Sequence, residues 1–493
     1  MKKAVIIGSG FSGLSAASFM AKAGWDVTVL EKHDMPGGRA RRFSAEGFTF
    51  DMGPSWYWMP DIFERYFEAF GKKVSDHYSL TRLDPSYSVY YPEKKISLPA
   101  EQNALKKLFE SIETGSATML DKFLEEAAYK YQTGMNKLAY KPGLSITEFI
   151  DRDLLKGILR LDVFTDMKKH IAKYFKHPYL QQLMEFPVLF LGALPQKIPA
   201  LYSLMNYADM RSGSWYPAGG MYSIVESMHQ LAKGLGVKFK FSHDATGVEI
   251  ENDKIISVNA LHNGESRNFP ADAVISSCDY HFTETKLLPP EYRSYSDKYW
   301  DKRVMAPSCL LYYIGINRKL NNIDHHSLFF DTSFDRHGRE IYEEPHWPAE
   351  PLFYVGAVSV TDAGSAPAGC ENLFFLIPVA AGLTGDTEEL RDRYFNKIIQ
   401  RFEERTGEKI KENIIFKRSF AVSDFVDEYN AFKGNAYGLA NTLMQTAVMK
   451  PSLKSRKLKN LFFAGQLTVP GPGVPPALIS GEICAKQVLK EIK

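Results

Sequence analysis

The stretch AVIIGSGFSGLSAASFMAKAGWDVTVLEKHDMPGGRA, residues 4–40, decides the fold. Ala4 to Ile7 is a short run of small and β-branched residues, as a buried parallel strand requires. Gly8, Gly10 and Gly13 follow in the G-x-G-x-x-G spacing. The first permits a sharp turn, the second admits a pyrophosphate against the backbone, and the third lets a helix pack close to the strand. Leu14 to Ala23 is rich in helix formers, so an anion would meet that helix at its positive N-terminus. Val27 to Leu30 reads as the second strand, and Glu31 stands at its end, with Lys32 next. A carboxylate there accepts hydrogen bonds from an adenosine ribose. Strand, turn, helix, strand and acid are all in register, so the segment is expected to bind a dinucleotide.

A second glycine loop distinguishes a resident cofactor from one that leaves each turnover. Gly37 and Gly38 stand directly before Arg39, whose guanidinium can offset diphosphate charge. Phe48, Phe50 and then Asp51-Met52-Gly53-Pro54-Ser55 follow. This stretch resembles the second flavin motif of the amine oxidase and carotenoid desaturase superfamily, which implies bound FAD. A third segment, GQLTVPGPGVPPALISG at 465–481, leaves a strand over Leu461 to Ala464, forms a stiff Pro–Gly loop and opens a helix over Ala477 to Ile492. A helix N-terminus aimed at a flavin would stabilise negative charge on its reduced ring.

Composition sets the outer limits. At 493 residues the chain exceeds one ordinary core, so two intertwined domains are expected. A net charge of +2 gives no reason to expect nucleic acid. Cys278, Cys309, Cys370 and Cys484 are scattered, which suits a reducing compartment better than disulfides or zinc. Met1-Lys2-Lys3 before an apolar run looks like a signal peptide, but cleavage would destroy the glycine fingerprint, and that reading is rejected. Residues 184–205 are the most apolar long stretch, and Pro187, Pro195, Pro199 and Lys197 interrupt it. No membrane-spanning helix is expected.

Between the motifs, WYWMPDIFERYFEAFG at 56–71 places Ile62, Tyr66 and Phe70 at helical spacing. Trp56, Tyr57 and Trp58 are candidates for a substrate-side wall. Residues 77–100 alternate as short strands, and 101–211 read as largely helical. Leu120, Phe123, Leu124, Ala127 and Tyr131 fall on one face, with Lys122, Glu125 and Lys130 elsewhere. That face suits a core or a bilayer surface, and the sequence leaves both open. Residues 216–260 read as a glycine turn, a helix and three strands, 271–279 as a buried strand closing the domain, and 296–430 as a second sheet with helices. Adjacent His325 and His326 in a strand would point to opposite faces, so no shared metal is expected.

Further stretches carry a closer resemblance: DMGPSWYWMP at 51–60, GSWYPAGGM at 213–221, HHSLFF at 325–330, VTDAGSAPAGCENLFFLIPV at 360–379 and NAYGL at 435–439. Together with the three motifs they make the chain resemble, end to end, the bacterial carotenoid desaturases of the phytoene desaturase type. The resemblance implies an α/β fold: a Rossmann-like FAD-binding domain of the amine oxidase type with an interleaved α+β substrate domain. Residues 1–75, 213–295 and 440–493 would form the first, and 76–212 and 296–439 the second. It implies FAD held by Gly8, Gly10, Gly13, Glu31, Lys32, Gly37, Gly38, Arg39, Gly53, Pro54, Ser55, Val248, Gly465, Gln466, Val474 and Pro475. Val248 would present its backbone to the adenine. Gln466 stands where many flavoproteins carry an acid, and no basic residue stands at Gln181–Gln182, where some relatives carry one; no catalytic charge pair is carried over from there.

The implied reaction takes a hydride from an allylic carbon to flavin N5 and a proton from the adjacent carbon, converting phytoene towards lycopene-like products. The base is open among Asp, Glu, His and water, and quinone or oxygen would accept the electrons. A long lipophilic polyene substrate implies a cytoplasmic protein at the surface of the inner membrane. The oligomeric state is open. Rival readings are a hydroxycarotenoid 3,4-desaturase or polyene isomerase, an amine oxidase, and an isoprenoid-binding escort protein. Residues 465–481 contain no Phe, Tyr or Trp, unlike the aromatic frame of amine oxidases.

Overall fold

The computed structural model describes residues 1–149, 161–189 and 191–492. Its first sheet is five-stranded and parallel, in the order Leu461–Phe463, Ala273–Ser276, Lys3–Ile7, Asp26–Leu30, Lys238–Lys240. The Lys3–Ile7 strand lies at the centre and alternates between two cores. Ala4 and Ile6 face the helices, while Val5 and Ile7 face a three-stranded antiparallel sheet spanning Asp244 to Pro270. Burial on both faces explains its unbroken apolar run. The Ala273–Ser276 strand, expected to close the sheet, lies inside it; the edge belongs to Leu461–Phe463, so the two ends of the chain share one sheet.

The helix Phe11–Lys22 packs against the C-terminal helix Val474–Glu491. A Cβ on Gly481 would lie 2.2 Å from the Ser12 carbonyl oxygen, so glycine sets this spacing. Ser15 Oγ donates to the Leu478 carbonyl at 2.8 Å. The C-terminal helix begins at Val474, three residues before the expected start, because Pro475 and Pro476 fit its first turn, where an amide would go unbonded anyway.

The second sheet has seven strands: Ile414–Phe420, Ser308–Ile316, Glu371–Val379, Phe353–Gly356, His326–Phe329, Tyr87–Tyr90 and Lys95–Leu98. All neighbours are antiparallel except His326–Phe329 with Tyr87–Tyr90. Along the Ser308–Ile316 strand, Leu310, Tyr312 and Ile314 pack under the helix Glu388–Thr406, while Cys309, Leu311 and Tyr313 turn the other way. That second face, roofed by helices between 102 and 212, holds the apolar part of the site described below.

Leu120, Phe123, Leu124, Ala127 and Tyr131 are buried in this core, which decides against a bilayer for that face. Lys130 is not on a solvated face either. It is fully buried, with Nζ 2.9 Å from an Asp162 carboxylate oxygen. Glu126, Asp162 and His170 approach one another closely enough to hold an ion, but the Lys130 ammonium already serves these groups, 3.4 Å from His170 Nε2.

Candidate active site

One cavity of about 700 Å³ runs between the two sheets, towards the upper part of the roughly 300–1,000 Å³ usual for small-molecule sites. Gly8, Gly10, Glu31, Lys32, Gly37, Gly38, Arg39, Gly53, Pro54, Ser55, Gly465, Gln466, Val474 and Pro475 all line it. Three motifs far apart in sequence therefore meet on one wall.

Their local geometry follows from the residue types. A Cβ on Gly13 would lie 2.1 Å from the Gly8 carbonyl oxygen, so this glycine packs helix on strand and does not itself line the cavity. Gly10 caps the Phe11–Lys22 helix without a side-chain hydrogen bond, and no acid stands in the first turn, so first-turn amides face the cavity at Phe11 and Ser12. A Cβ on Gly38 would lie 3.4 Å from Gly10 Cα, which brings the second glycine loop against the first. Glu31 is buried; one carboxylate oxygen accepts from Ser9 N (2.8 Å) and Ser9 Oγ (2.6 Å), the other from His33 N (3.0 Å). A carboxylate has about four acceptor positions, so capacity remains for a ribose hydroxyl.

Arg39 carries the anion side of the fit. Burial pulls its guanidinium below the ordinary value, with Asp279 opposing that shift, and its Nε is buried without a partner. Its Nη2 donates to the Asn435 carbonyl at 3.3 Å, while Gln466 Nε2 donates to Asn435 Oδ1 at 2.8 Å. Asn435 thus ties the second motif to the third. Gln466 does hydrogen-bond, but to this asparagine. Unpaired amides at a helix start, a buried cation and a ribose-competent carboxylate form a donor set that fits an adenine dinucleotide diphosphate.

Beyond Ser55 the lining changes character. Trp56, Trp58, Phe186, Leu311, Leu328 and Phe330 belong to an apolar chamber continuous with the motif wall. Trp56 and Trp58, the candidates for a substrate-side wall, both line this chamber. Tyr57 does not: in this extended segment the middle residue points the opposite way, into the core, where its hydroxyl meets that of Tyr78 at 3.1 Å. Val248 is likewise absent from the wall. His243, Asp244 and Ala245 line it instead, and Val248 lies about 10 Å farther along its strand, partly buried against the core on that side of the parallel sheet.

His325 and His326 depart from the opposite-face expectation. The strand begins only at His326, and the two rings meet edge to face at 4.5 Å. His325 Nδ1 pairs with Thr361 Oγ1 at 2.8 Å, and His326 Nδ1 with the Tyr354 hydroxyl at 2.7 Å. His326 also stacks on Trp56, with centroids 3.9 Å apart and planes 11° from parallel.

The profile of the family described as "Flavin containing amine oxidoreductase" matches residues 11–489. Over 489 residues the chain is 38% identical to the carotenoid 3,4-desaturase of Haloarcula japonica, covering 99% of this chain and 98% of that protein. It is 30% identical to the zeta-carotene-forming phytoene desaturase of Myxococcus xanthus, covering 99% and 94%. The chain belongs to the carotenoid desaturase branch of the flavin-containing amine oxidoreductase family. FAD is its cofactor. Among solved structures, an oxidoreductase from Methanosarcina mazei aligns over 99% of this chain and 100% of that one, with a TM-score of 0.63 at 16% identity. A putrescine oxidase variant aligns with a TM-score of 0.60 at 13% identity. At that identity both speak to the fold alone.

Several lining residues carry no sequence signature, among them Cys278, Asp279, His337 and Tyr354. The strands that supply Leu311 and Tyr354 are apolar and buried on both faces, so their sequence does not say which set of side chains faces the site.

Proposed function

We propose that this flavoprotein desaturates a linear carotenoid precursor, taking phytoene towards more conjugated products such as lycopene. The observation that carries this is the continuity of the motif wall with the apolar chamber. A hydrocarbon has no polar handle, so only shape and apolar burial can seat it. The flavin supplies hydride acceptance from an allylic carbon. The chain's own residues bury the polyene, keep water from the transient cation and offer aromatic faces to it, with Trp56 and Trp58 placed for that role.

A second reading is a 3,4-desaturase acting on a hydroxylated carotenoid; the 38% identity to a carotenoid 3,4-desaturase favours the 3,4-desaturation part of it. Incubating purified protein with phytoene or with a hydroxycarotene in liposomes separates the two. Longer chromophores from phytoene support the first reading; inertness towards phytoene with turnover of the hydroxycarotene supports the second. Turnover of amines alone would contradict both.

Quinone or oxygen would reoxidise the flavin. The glycine, Arg39 and Glu31 assignments, and the division of the chain into FAD and substrate domains, belong to the same proposal. So does attachment to the inner membrane from the cytoplasmic side. Among the described residues no helix is long and apolar enough to cross a membrane. Phe164 (82% exposed), Ile146 (66%) and Met444 (65%) are solvent-facing near the cavity-lining residues Val163, Lys141 and Thr446. This supports an apolar rim that meets lipid where the substrate enters. Vesicle co-sedimentation that survives replacement of all three by serine would contradict that rim.

A further inference from the structure

Hydride removal leaves a carbon cation whose neighbouring C–H must be broken, and the chamber needs a proton acceptor. Asp209 and Glu185 are buried but do not line the chamber, and Asp279, which lines the cavity beside Arg39, already accepts from the Phe282 and Phe432 amides. Tyr354 does line it.

Tyr354 sits in the Phe353–Gly356 strand with its hydroxyl 2.7 Å from His326 Nδ1, and it also hydrogen-bonds Ser55. Gly356 is paired directly across the ladder from His326. A Cβ on Gly356 would lie 2.7 Å from the Tyr354 oxygen, so the glycine leaves room for the phenol. His326 is buried beneath Trp56, and its Nε2 has no partner. Burial, with His325 beside it, holds its imidazole well below the ordinary value, so the ring is neutral, and in its Nε2–H tautomer Nδ1 accepts from the Tyr354 hydroxyl. A second, smaller cavity of about 70 Å³ lies behind this wall. Ser55 and Tyr354 line both cavities, and Asp51, Asp362 and Asn372 line the small one. Its walls are mostly apolar, but these polar side chains give a space of that size room and partners for a few waters.

We propose that Tyr354 and His326 act as the proton-accepting pair of the desaturation, with the small cavity behind them, at the side of Asp51 and Asp362, as the proton's exit. This rests on the desaturase reading. The C–H bond next to the cation breaks, and its electron pair forms the new C=C bond. The proton bonds to the Tyr354 oxygen as the tyrosine's own O–H proton moves to His326 Nδ1. Trp56, stacked on the imidazole, stabilises the imidazolium through its ring face. The proton returns through Tyr354 and Ser55 to water in the small cavity. A weak neutral base suffices, because a proton beside a carbocation is strongly acidic.

The test is an anaerobic single turnover of FAD-loaded enzyme with phytoene in liposomes. Flavin bleaching and polyene absorbance are followed separately, in light and heavy water. In the wild type both should advance together. In Tyr354→Phe and His326→Gln, flavin content and melting temperature should hold and bleaching should persist. Polyene formation should lag it by about 10²-fold, the usual size of a lost acid–base group. Gly356→Ala displaces the phenol without removing an ionisable group and should show the same lag. Polyene forming at the wild-type rate in all three would overturn the pair. Equal slowing of bleaching and polyene, with flavin content intact, would also overturn it, since that marks a role in seating substrate. A wild-type flavin that no carotenoid bleaches would instead overturn the desaturase reading itself.

Discussion

At the dinucleotide end of the cavity the wall is largely main chain: glycines at 8, 10, 37, 38 and 465, and the amides that open two helices. At the other end it is side chain: Trp56, Phe186, Leu311, Leu328 and Phe330. Main-chain contact forces particular residues at particular positions, because only glycine leaves the backbone bare. A side-chain wall needs only volume and apolarity, and many sequences supply those. The same cavity therefore has one end written as motifs and another written as composition.

The largest expected effects separate the two jobs that glycine does at the first end. Gly13→Val drives a side chain into the Gly8 carbonyl and should abolish folding of the parallel sheet, read as loss of soluble protein. The nearest atom to a Cβ on Gly10 is 4.0 Å away, so Gly10→Val should fold with an unchanged circular dichroism spectrum and yet lose its flavin absorbance. Full flavin retention in Gly10→Val would break the contrast.

The next effect belongs to the other end. Leu201 is a half-buried residue of the apolar wall, and Leu201→Trp should fill the chamber. Flavin content should stay at the wild-type level while polyene formation falls by roughly 100-fold, a cost of about 2.7 kcal/mol at the reacting step. Arg39→Ala should do the reverse: flavin affinity weakened by roughly tenfold or more, as expected for one charge-assisted hydrogen bond, with a normal product from enzyme reloaded in excess FAD.

The smallest effect concerns a charge buried behind the apolar half. Burial pushes the Asp209 carboxyl up to about 7, while Tyr87 donates to it at 2.8 Å. Its folded value exceeds the ordinary 3.8, so the native state holds an extra proton between 3.8 and about 7. Stability from this group therefore falls as pH rises through that window. Asp209→Asn should flatten that slope, with a gain of about 1 kcal/mol at pH 8 relative to pH 4, read by urea unfolding at the two pH values.

How much the sequence disclosed follows the same division. The first strand, the fingerprint helix, Glu31, the Gly37–Gly38–Arg39 loop and the 465–475 loop were all legible, because each is a backbone constraint with a fixed spacing. Val248 was placed by analogy rather than by constraint, and the strand meets the cavity three residues earlier, at His243 to Ala245. Tyr57 could not be told from Trp56 and Trp58 by composition; the direction of one extended segment decides it. Lys130 looked solvated because helical spacing reports one face and cannot show that a second layer covers the other. HHSLFF at 325–330 marks the His326 segment, but Tyr354 has no local signature, and the two come together only through pairing of neighbouring strands 28 residues apart in sequence.

The central claim is that one continuous cavity holds a flavin against an apolar chamber built for a hydrocarbon. Anaerobic mixing of the purified flavoprotein with phytoene-loaded liposomes tests it most directly. The account predicts a yellow protein whose flavin band bleaches as a longer polyene chromophore grows in matching amount. A flavin that stays oxidised with every carotenoid offered, yet bleaches with a simple amine, would contradict it.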